Sequence, residues 1–159
     1  MEKLELRMYG LVPYNISPIQ QGIQFGHAVV EYGRNCDGMK GYQALYNDWA
    51  DNWKTFIILN GGTTNTKCDI YDGLPLGSMN KHLLTLIDMG VPVATFIEPD
   101  LGNQLTAIVF IVDERIFNKT KYPDPQPFAS EDEVNMFMES IGGERNYKLR
   151  EFLKQFRLA

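Results

Sequence analysis

The chain has 159 residues, enough for one domain with a hydrophobic core, and its 44% hydrophobic and 22% charged residues are typical of globular proteins. The net charge of −5 falls on residues 1–118, which disfavours binding along a large RNA, since such proteins usually present a basic face. No apolar run approaches the roughly 18 residues of a membrane span. The N-terminus lacks the apolar segment of a secretory signal, so we expect no membrane partner and a cytoplasmic location.

Hydrophobic periodicity, together with Gly, Pro and capping residues, predicts four strands and five helices. The predicted strands cover residues 4–12, 54–59, 93–97 and 105–112. The predicted helices cover residues 17–33, 39–52, 78–89, 130–141 and 144–157. Ser17, Ser78 and Ser130 are the expected N-caps. This order predicts an α/β layer structure with a mixed, partly parallel sheet, in which the last two strands are antiparallel because their connection is short.

The sequence also predicts how the chain is divided. We expect residues 1–118 to form an α/β core. Residues 119–159 then form a Pro-rich connection and C-terminal helices that pack on the same domain. Aromatic and aliphatic residues of these helices can pack on the domain or on a second subunit, so both a monomer and a homodimer are compatible with the sequence. The basic residues near the C-terminus are expected to be solvated: Arg145, Lys148, Arg150, Lys154 and Arg157.

The first predicted helix carries two stripes of residues. The apolar stripe, expected to pack on the sheet, consists of Ile19, Ile23, Gly26 and Val30. The polar stripe consists of Gln20, Gln24, His27 and Glu31. His27 is one of only two histidines, and an imidazole titrates near neutral pH, so it is the candidate acid or base. An ordinary amphipathic helix with a solvated polar row is the alternative.

A second polar segment follows the third predicted strand. Ligands of open α/β sheets gather beyond the C-terminal ends of parallel strands, so Glu98 and Asp100 are expected to meet the polar stripe of the first helix. Two neighbouring carboxyl groups can split their pKa values and act as acid and base. The hydroxyl of Thr106 can reach the same cleft, and the alternative is that this threonine simply favours a strand. Asn103 has the character of a turn residue and is also a candidate to bind the substrate. Glu98-Pro99-Asp100 is also good turn chemistry, and a local turn is the alternative.

Other reactive side chains give weaker signals. Cys36 and Cys68 lack partners for a zinc site and are expected to be reduced thiols, and we expect no metal. His82 is expected at the surface. Gly61-Gly62-Thr63-Thr64 lacks the lysine of a phosphate-binding loop, so a flexible turn is the expected structure.

The segment Gln24-Phe25-Gly26-His27-Ala28 resembles the Q-x-x-H-A signature on the first helix of archaeal and eukaryotic-type peptidyl-tRNA hydrolases. Met89-Gly90-Val91-Pro92, followed by a strand, an acidic turn and a strand opening with Thr, is similar to the second half of that family. The resemblance covers roughly residues 4–112. The stretch from Glu98 to Ile108 is also similar to small phage-encoded proteins assigned to the family.

This resemblance implies a small three-layer α/β domain, with a mixed four-stranded sheet and helices on both faces. It also implies an esterase that cleaves peptidyl-tRNA without a metal or cofactor. His27 is then the acid or base, or orients water, and Glu98 or Asp100 takes the family's aspartate role. Thr106 belongs with these catalytic residues and, with Gln24, holds the substrate, and Gln20 and Asn103 are further candidates to bind it. The family carries a lysine where this chain has Gln20, which donates only neutral hydrogen bonds, about half as strong as charged ones.

Two hypotheses for function follow. The first is hydrolysis of the ester of peptidyl-tRNA or of a related nucleotide-linked substrate. The second is a catalytically altered relative that binds, sequesters or cleaves a small nucleotide. Such a ligand would be an immune signalling nucleotide if the protein serves viral counter-defence. The replacement of lysine by Gln20 and the acidic balance of residues 1–118 motivate the second hypothesis, because a small ligand needs few positive charges.

Overall fold

A computed structural model describes residues 3–35, 40–64 and 76–159. The strands are β1 (Leu6–Pro13), β2 (Thr55–Gly62), β3 (Ala94–Glu98) and β4 (Gln104–Asp113). The helices are α1 (Pro18–Asn35), α2 (Lys40–Asn52), α3 (Ser78–Asp88), α4 (Glu114–Phe117), α5 (Glu131–Ser140) and α6 (Glu144–Leu153). The short α4 was not predicted. Cys36, Cys68 and most of the connection before α3 lie outside the described residues.

The four strands form one mixed sheet in the order β2-β1-β4-β3. Strands β1 and β2 are parallel, and β4 is antiparallel to both β1 and β3. The predicted mixed sheet and antiparallel final pair are therefore confirmed. Because β1, β2 and β3 run in one direction, their C-terminal ends meet at the same edge of the sheet. Helix α1 begins at that edge, and so does the turn after β3.

Helices cover both faces of the sheet, which confirms the predicted three layers. Helices α1 and α2 pack on one face around Phe25, Tyr32 and Trp49. Helices α3, α4 and α6 pack on the other, where Leu149 and Phe152 of α6 join the core. Central strand β4 is buried from residue 105 to residue 112, as expected for a strand covered on both sides. No helix among the described residues is long and apolar enough to span a membrane.

Helix α1 buries a different stripe from the one predicted. Ile19, Ile23 and Val30 are 76%, 45% and 59% exposed, whereas Phe25 and Tyr32 are each 3% exposed. Aromatic side chains bury more apolar area than aliphatic ones, so the row containing them takes the core. Gly10 of β1 permits this packing, because a Cβ there would lie 2.3 Å from the Phe25 ring.

The C-terminal segment is fastened to the domain by a buried arginine. Arg150 was expected to be solvated but is 2% exposed. It donates hydrogen bonds to the carbonyls of Arg115 and Tyr122, at 3.0 and 2.9 Å, and to the Asp124 carboxylate at 2.6 Å. Because Tyr122 and Asp124 belong to the Pro-rich connection, Arg150 holds that connection against α4 and α6.

The end of the chain covers an edge of the sheet. The Asn60 N–H of β2 donates to the Arg157 carbonyl at 2.8 Å, and the Ala159 N–H donates to the Ile58 carbonyl at 2.9 Å. Strand β2 is an edge strand, and unpaired edges invite association with other chains. The C-terminal residues therefore pair with backbone groups that the sheet alone leaves open.

Two of the three predicted helix caps are confirmed. Ser17 Oγ accepts from the Gln20 N–H at 3.2 Å, and Ser130 Oγ accepts from the Glu133 N–H at 3.2 Å. Ser78 instead lies inside α3, after an N-cap at residue 77. Its hydroxyl donates to the Gly61 carbonyl at 2.9 Å, so this serine ties α3 to the end of β2.

His82 is half-buried rather than at the surface. Its ring makes edge contacts with Phe152 and Phe156, at centroid distances of 5.7 and 4.7 Å. Burial lowers the pKa of the His82 imidazole below its ordinary value of 6.5. This histidine is therefore a packing residue between α3 and the C-terminal segment.

Candidate functional site

A β-bulge in β4 turns Thr106 toward α1. Phe96 of β3 pairs with Ala107 of β4, and the next β3 residue, Ile97, pairs with Leu105. Thr106 is thus an extra residue between the two pairs. Strict alternation from Ala107, which packs beneath α1, would direct residue 106 to the opposite face of the sheet. The bulge breaks this alternation and re-aims the side chain.

Gln24 is the centre of a hydrogen-bond network that joins α1, β3 and β4. Its side chain is 1% exposed. Gln24 Oε1 accepts from the Thr106 hydroxyl at 2.7 Å. Gln24 Nε2 donates to Glu98 Oε2 at 2.9 Å and to Gln20 Oε1 at 3.3 Å. If the Gln24 amide were reversed, its oxygen would face the Glu98 carboxylate, so Glu98 fixes the orientation of the amide. In this orientation both the oxygen and the nitrogen of the buried amide have hydrogen-bond partners.

Glu98 is held from a second direction by the turn that follows β3. Its Oε1 accepts from the Asp100 N–H at 3.1 Å. The hydrogen bond from Gln24 lowers the pKa of the Glu98 carboxyl, and the Asp100 N–H and the charge of His27 lower it further. Glu98 therefore stays ionised at neutral pH. The predicted division into acid and base needs one carboxyl group with a raised pKa, and Glu98 is not that group.

His27 lies beside this network and has an exposed side chain. It follows Gln24 by one helical turn, and its ring stacks on Phe96 with a centroid distance of 4.3 Å and an interplanar angle of 15°. The imidazole is exposed, while Phe96 is half-buried. The packed ring restricts the orientation of the imidazole and leaves its edge available to a ligand.

A cavity of about 430 Å³ opens at the N-terminal end of α1. Its lining residues are Ile16, Ser17, Gln20, Ile23, Gln24, Glu98, Asp100 and Leu101. The cavity thus brings Gln20 and Gln24 of the polar stripe together with the carboxylates of Glu98 and Asp100, whereas His27 of the same stripe lies outside the cavity lining. It can hold a small group with both apolar and hydrogen-bonding parts.

The structure changes the roles of two predicted site residues. Thr106 is completely buried, so its hydroxyl positions Gln24 and does not reach a ligand in the cavity. Asn103 has an exposed side chain outside the cavity lining, and its backbone closes the turn instead. Its N–H donates to the Glu98 carbonyl at 3.0 Å, with φ at 58°. Asn tolerates this left-handed conformation better than most residues.

Sequence reasoning missed Phe96 and the apolar rim of the cavity. Phe96 stands two residues before Glu98, and residues two apart in a strand share one face of the sheet. Because Glu98 was predicted to meet α1, the sequence could have placed the Phe96 ring on the same face, near His27. Leu101 lies in the acidic turn, and the turn itself does not require an aliphatic side chain at this position. Ile23 was assigned to the core by its spacing, and only its exposure reveals a different role.

Neither the protein-family models nor the curated proteins contain a match to the chain. Within residues 3–35, 40–64 and 76–159, no group of three or more His, Cys, Asp or Glu side chains is placed to hold a metal ion.

Proposed function

We propose that the protein hydrolyses the ester between an acyl group and the 3′ end of a tRNA or a related nucleotide. The observation that carries this proposal is the buried chain of hydrogen bonds from Thr106 through Gln24 to Glu98, beside the exposed His27. A fully satisfied polar network holds its members rigidly, and this one ends in a carboxylate that lines a cavity. The resemblance of residues 24–28 to peptidyl-tRNA hydrolases supports hydrolysis of an ester at the 3′ end of tRNA.

The reaction needs a general base, a group that stabilises the positive charge formed on that base, and a binding site for the acyl group. His27 removes a proton from water as the water oxygen bonds to the ester carbonyl carbon. The bond from that carbon to the ribose oxygen then breaks, and the proton passes from the imidazolium to the leaving oxygen. The ionised Glu98 stabilises the imidazolium, while Gln20 donates a neutral hydrogen bond at the cavity wall.

Arg34 supplies positive charge for the nucleotide half. It follows His27 by seven residues, two turns further along the same face of α1, at a rise of about 10 Å. The side chain is exposed. A phosphate near Arg34 and an acyl group in the cavity would place the ester between them, next to His27.

The test is release of free tRNA from leucyl-tRNA and from N-acetyl-leucyl-tRNA by the purified protein. We expect cleavage of at least one ester above the spontaneous rate, and a loss of 10²-fold or more in His27→Ala, the typical contribution of a general base. Val30→Ala is the matched control, because Val30 is exposed on the same helix but outside the polar stripe. Cleavage of neither ester by the folded wild type would refute the esterase.

A second candidate is nucleotide binding without turnover. The free ring face of His27 on Phe96 favours it, because a nucleobase can stack there. Thermal unfolding with a panel of linear and cyclic nucleotides tests this candidate. A rise in Tm that His27→Ala abolishes, together with no ester cleavage, would support binding over hydrolysis, and no rise with any nucleotide would refute it.

A further inference from the structure

The cavity beside α1 is negatively charged. Glu98 and Asp100 line it, and no Lys or Arg among the described residues does. Within that part of the chain, a phosphate placed there would meet two carboxylates and no cation. The cavity is therefore unsuited to the nucleotide half of an ester and suited to a cation or a hydrogen-bond donor.

The carboxylates retain acceptor capacity. Each Glu98 oxygen accepts one hydrogen bond from the protein, Oε1 from the Asp100 N–H and Oε2 from Gln24. A carboxylate oxygen can accept two, so each keeps a site for a ligand. Asp100 is exposed at the same wall. A ligand ammonium group has three donors and can bridge both residues.

The rim of the cavity is aliphatic. Ile23 and Leu101 are 45% and 38% exposed, although large aliphatic side chains are usually buried. Ile16 lines the same space and is half-buried. A ligand that covers these three side chains removes apolar surface from water, which favours binding.

We propose that the acyl half of the substrate is an aminoacyl group with a free α-ammonium and an aliphatic side chain. This inference rests on the esterase function proposed above. The ammonium binds Glu98 and Asp100, and the aliphatic side chain packs on Ile23 and Leu101. The ester carbonyl then points along α1 toward His27, with Arg34 beyond it for the phosphate. An N-blocked acyl group lacks the positive charge that would pair with the two carboxylates.

Binding of amides that the esterase cannot cleave tests this inference apart from catalysis. L-Leucinamide and N-acetyl-L-leucinamide share the side chain and differ in charge, because a free α-amine is protonated at pH of about 6.5. We expect leucinamide to bind at least tenfold more tightly, with NMR shift changes at the Ile23 and Leu101 methyl groups. The preference should fall several-fold in Asp100→Asn and as salt is raised. Asp51→Asn, an exposed carboxylate on α2, should leave it unchanged.

The outcomes separate the two proposals. Equal or tighter binding of N-acetyl-leucinamide, or no binding of leucinamide to the folded protein, would overturn the inference about the ammonium while leaving ester hydrolysis to its own assay. Preferential binding of leucinamide without cleavage of leucyl-tRNA would support the cavity's specificity and refute the esterase. Preferential binding with faster cleavage of leucyl-tRNA than of its N-acetyl derivative would support both.

Discussion

Replacing Thr106 by Val tests whether the buried network is built around Gln24. The two side chains have nearly the same shape, so the change removes a hydroxyl without opening a cavity. It leaves Gln24 Oε1, in a side chain that is 1% exposed, without its donor at 2.7 Å. An unsatisfied buried acceptor costs about 1–3 kcal/mol of unfolding free energy. For a chain of this size, a loss of about 2 kcal/mol lowers Tm by about 4–8 °C.

Urea and thermal unfolding of a double-mutant cycle measure this effect. The partner change is Gln24→Met, which removes the amide that Thr106 satisfies. We expect the double variant to lose less stability than the sum of the two single variants, by about 1 kcal/mol. Thr95→Val, on β3, is the control for loss of a strand hydroxyl and should change stability little. Thr106→Val as stable as this control, or additive effects within about 0.5 kcal/mol, would refute the reasoning.

Three further changes probe other parts of the molecule. Arg150→Met should lower the unfolding free energy by about 2–3 kcal/mol, less than for a fully buried pair because Asp124 is partly exposed; a loss below about 1 kcal/mol in urea unfolding would contradict this. Wild-type stability should fall as pH drops below about 6.5, since the unfolded chain protonates His82 before the folded one does; the fall should shrink in His82→Gln, and an unchanged pH profile would argue against it. Arg34→Ala should raise KM for leucyl-tRNA several-fold, while leaving leucinamide binding unchanged; a change in leucinamide binding would place Arg34 in the wrong role.

The elements of the fold could be predicted because each carries a local signal. Alternation, apolar runs and capping residues reflect contacts within a few residues of the chain. These local patterns were enough to predict the strands and most of the helices. The antiparallel last pair followed from the short connection alone. Arg150 could not be predicted in the same way, because its partners lie 26 to 35 residues away and no local pattern marks them. The same limit applies to His82, whose ring contacts come from the C-terminal segment.

The candidate site was predictable in part. The prediction that the polar stripe of α1 meets the segment after β3 is confirmed by the hydrogen bond from Gln24 to Glu98. That contact follows from topology, because β1 and β3 end at the same edge of the sheet. The inward turn of Thr106 depends on a bulge, which periodicity cannot locate. The prediction of the buried stripe of α1 was wrong, because the buried row of Phe25, Ala28 and Tyr32 belongs to neither predicted stripe. Its packing depends on Gly10, which lies on another element.

Four departures from local structural rules lie at the edge of the sheet where β3 ends. Gln24 is a buried amide at the boundary of the core, Thr106 interrupts a ladder, and Asn103 has a positive φ. Ile23 stays partly in solvent although its spacing suits a core residue. Each departure reduces stability or leaves apolar surface exposed, and sequences usually retain such costs where a site requires them. Because these four residues lie around Glu98 and the cavity, the cavity beside α1 is the first place in which to seek function.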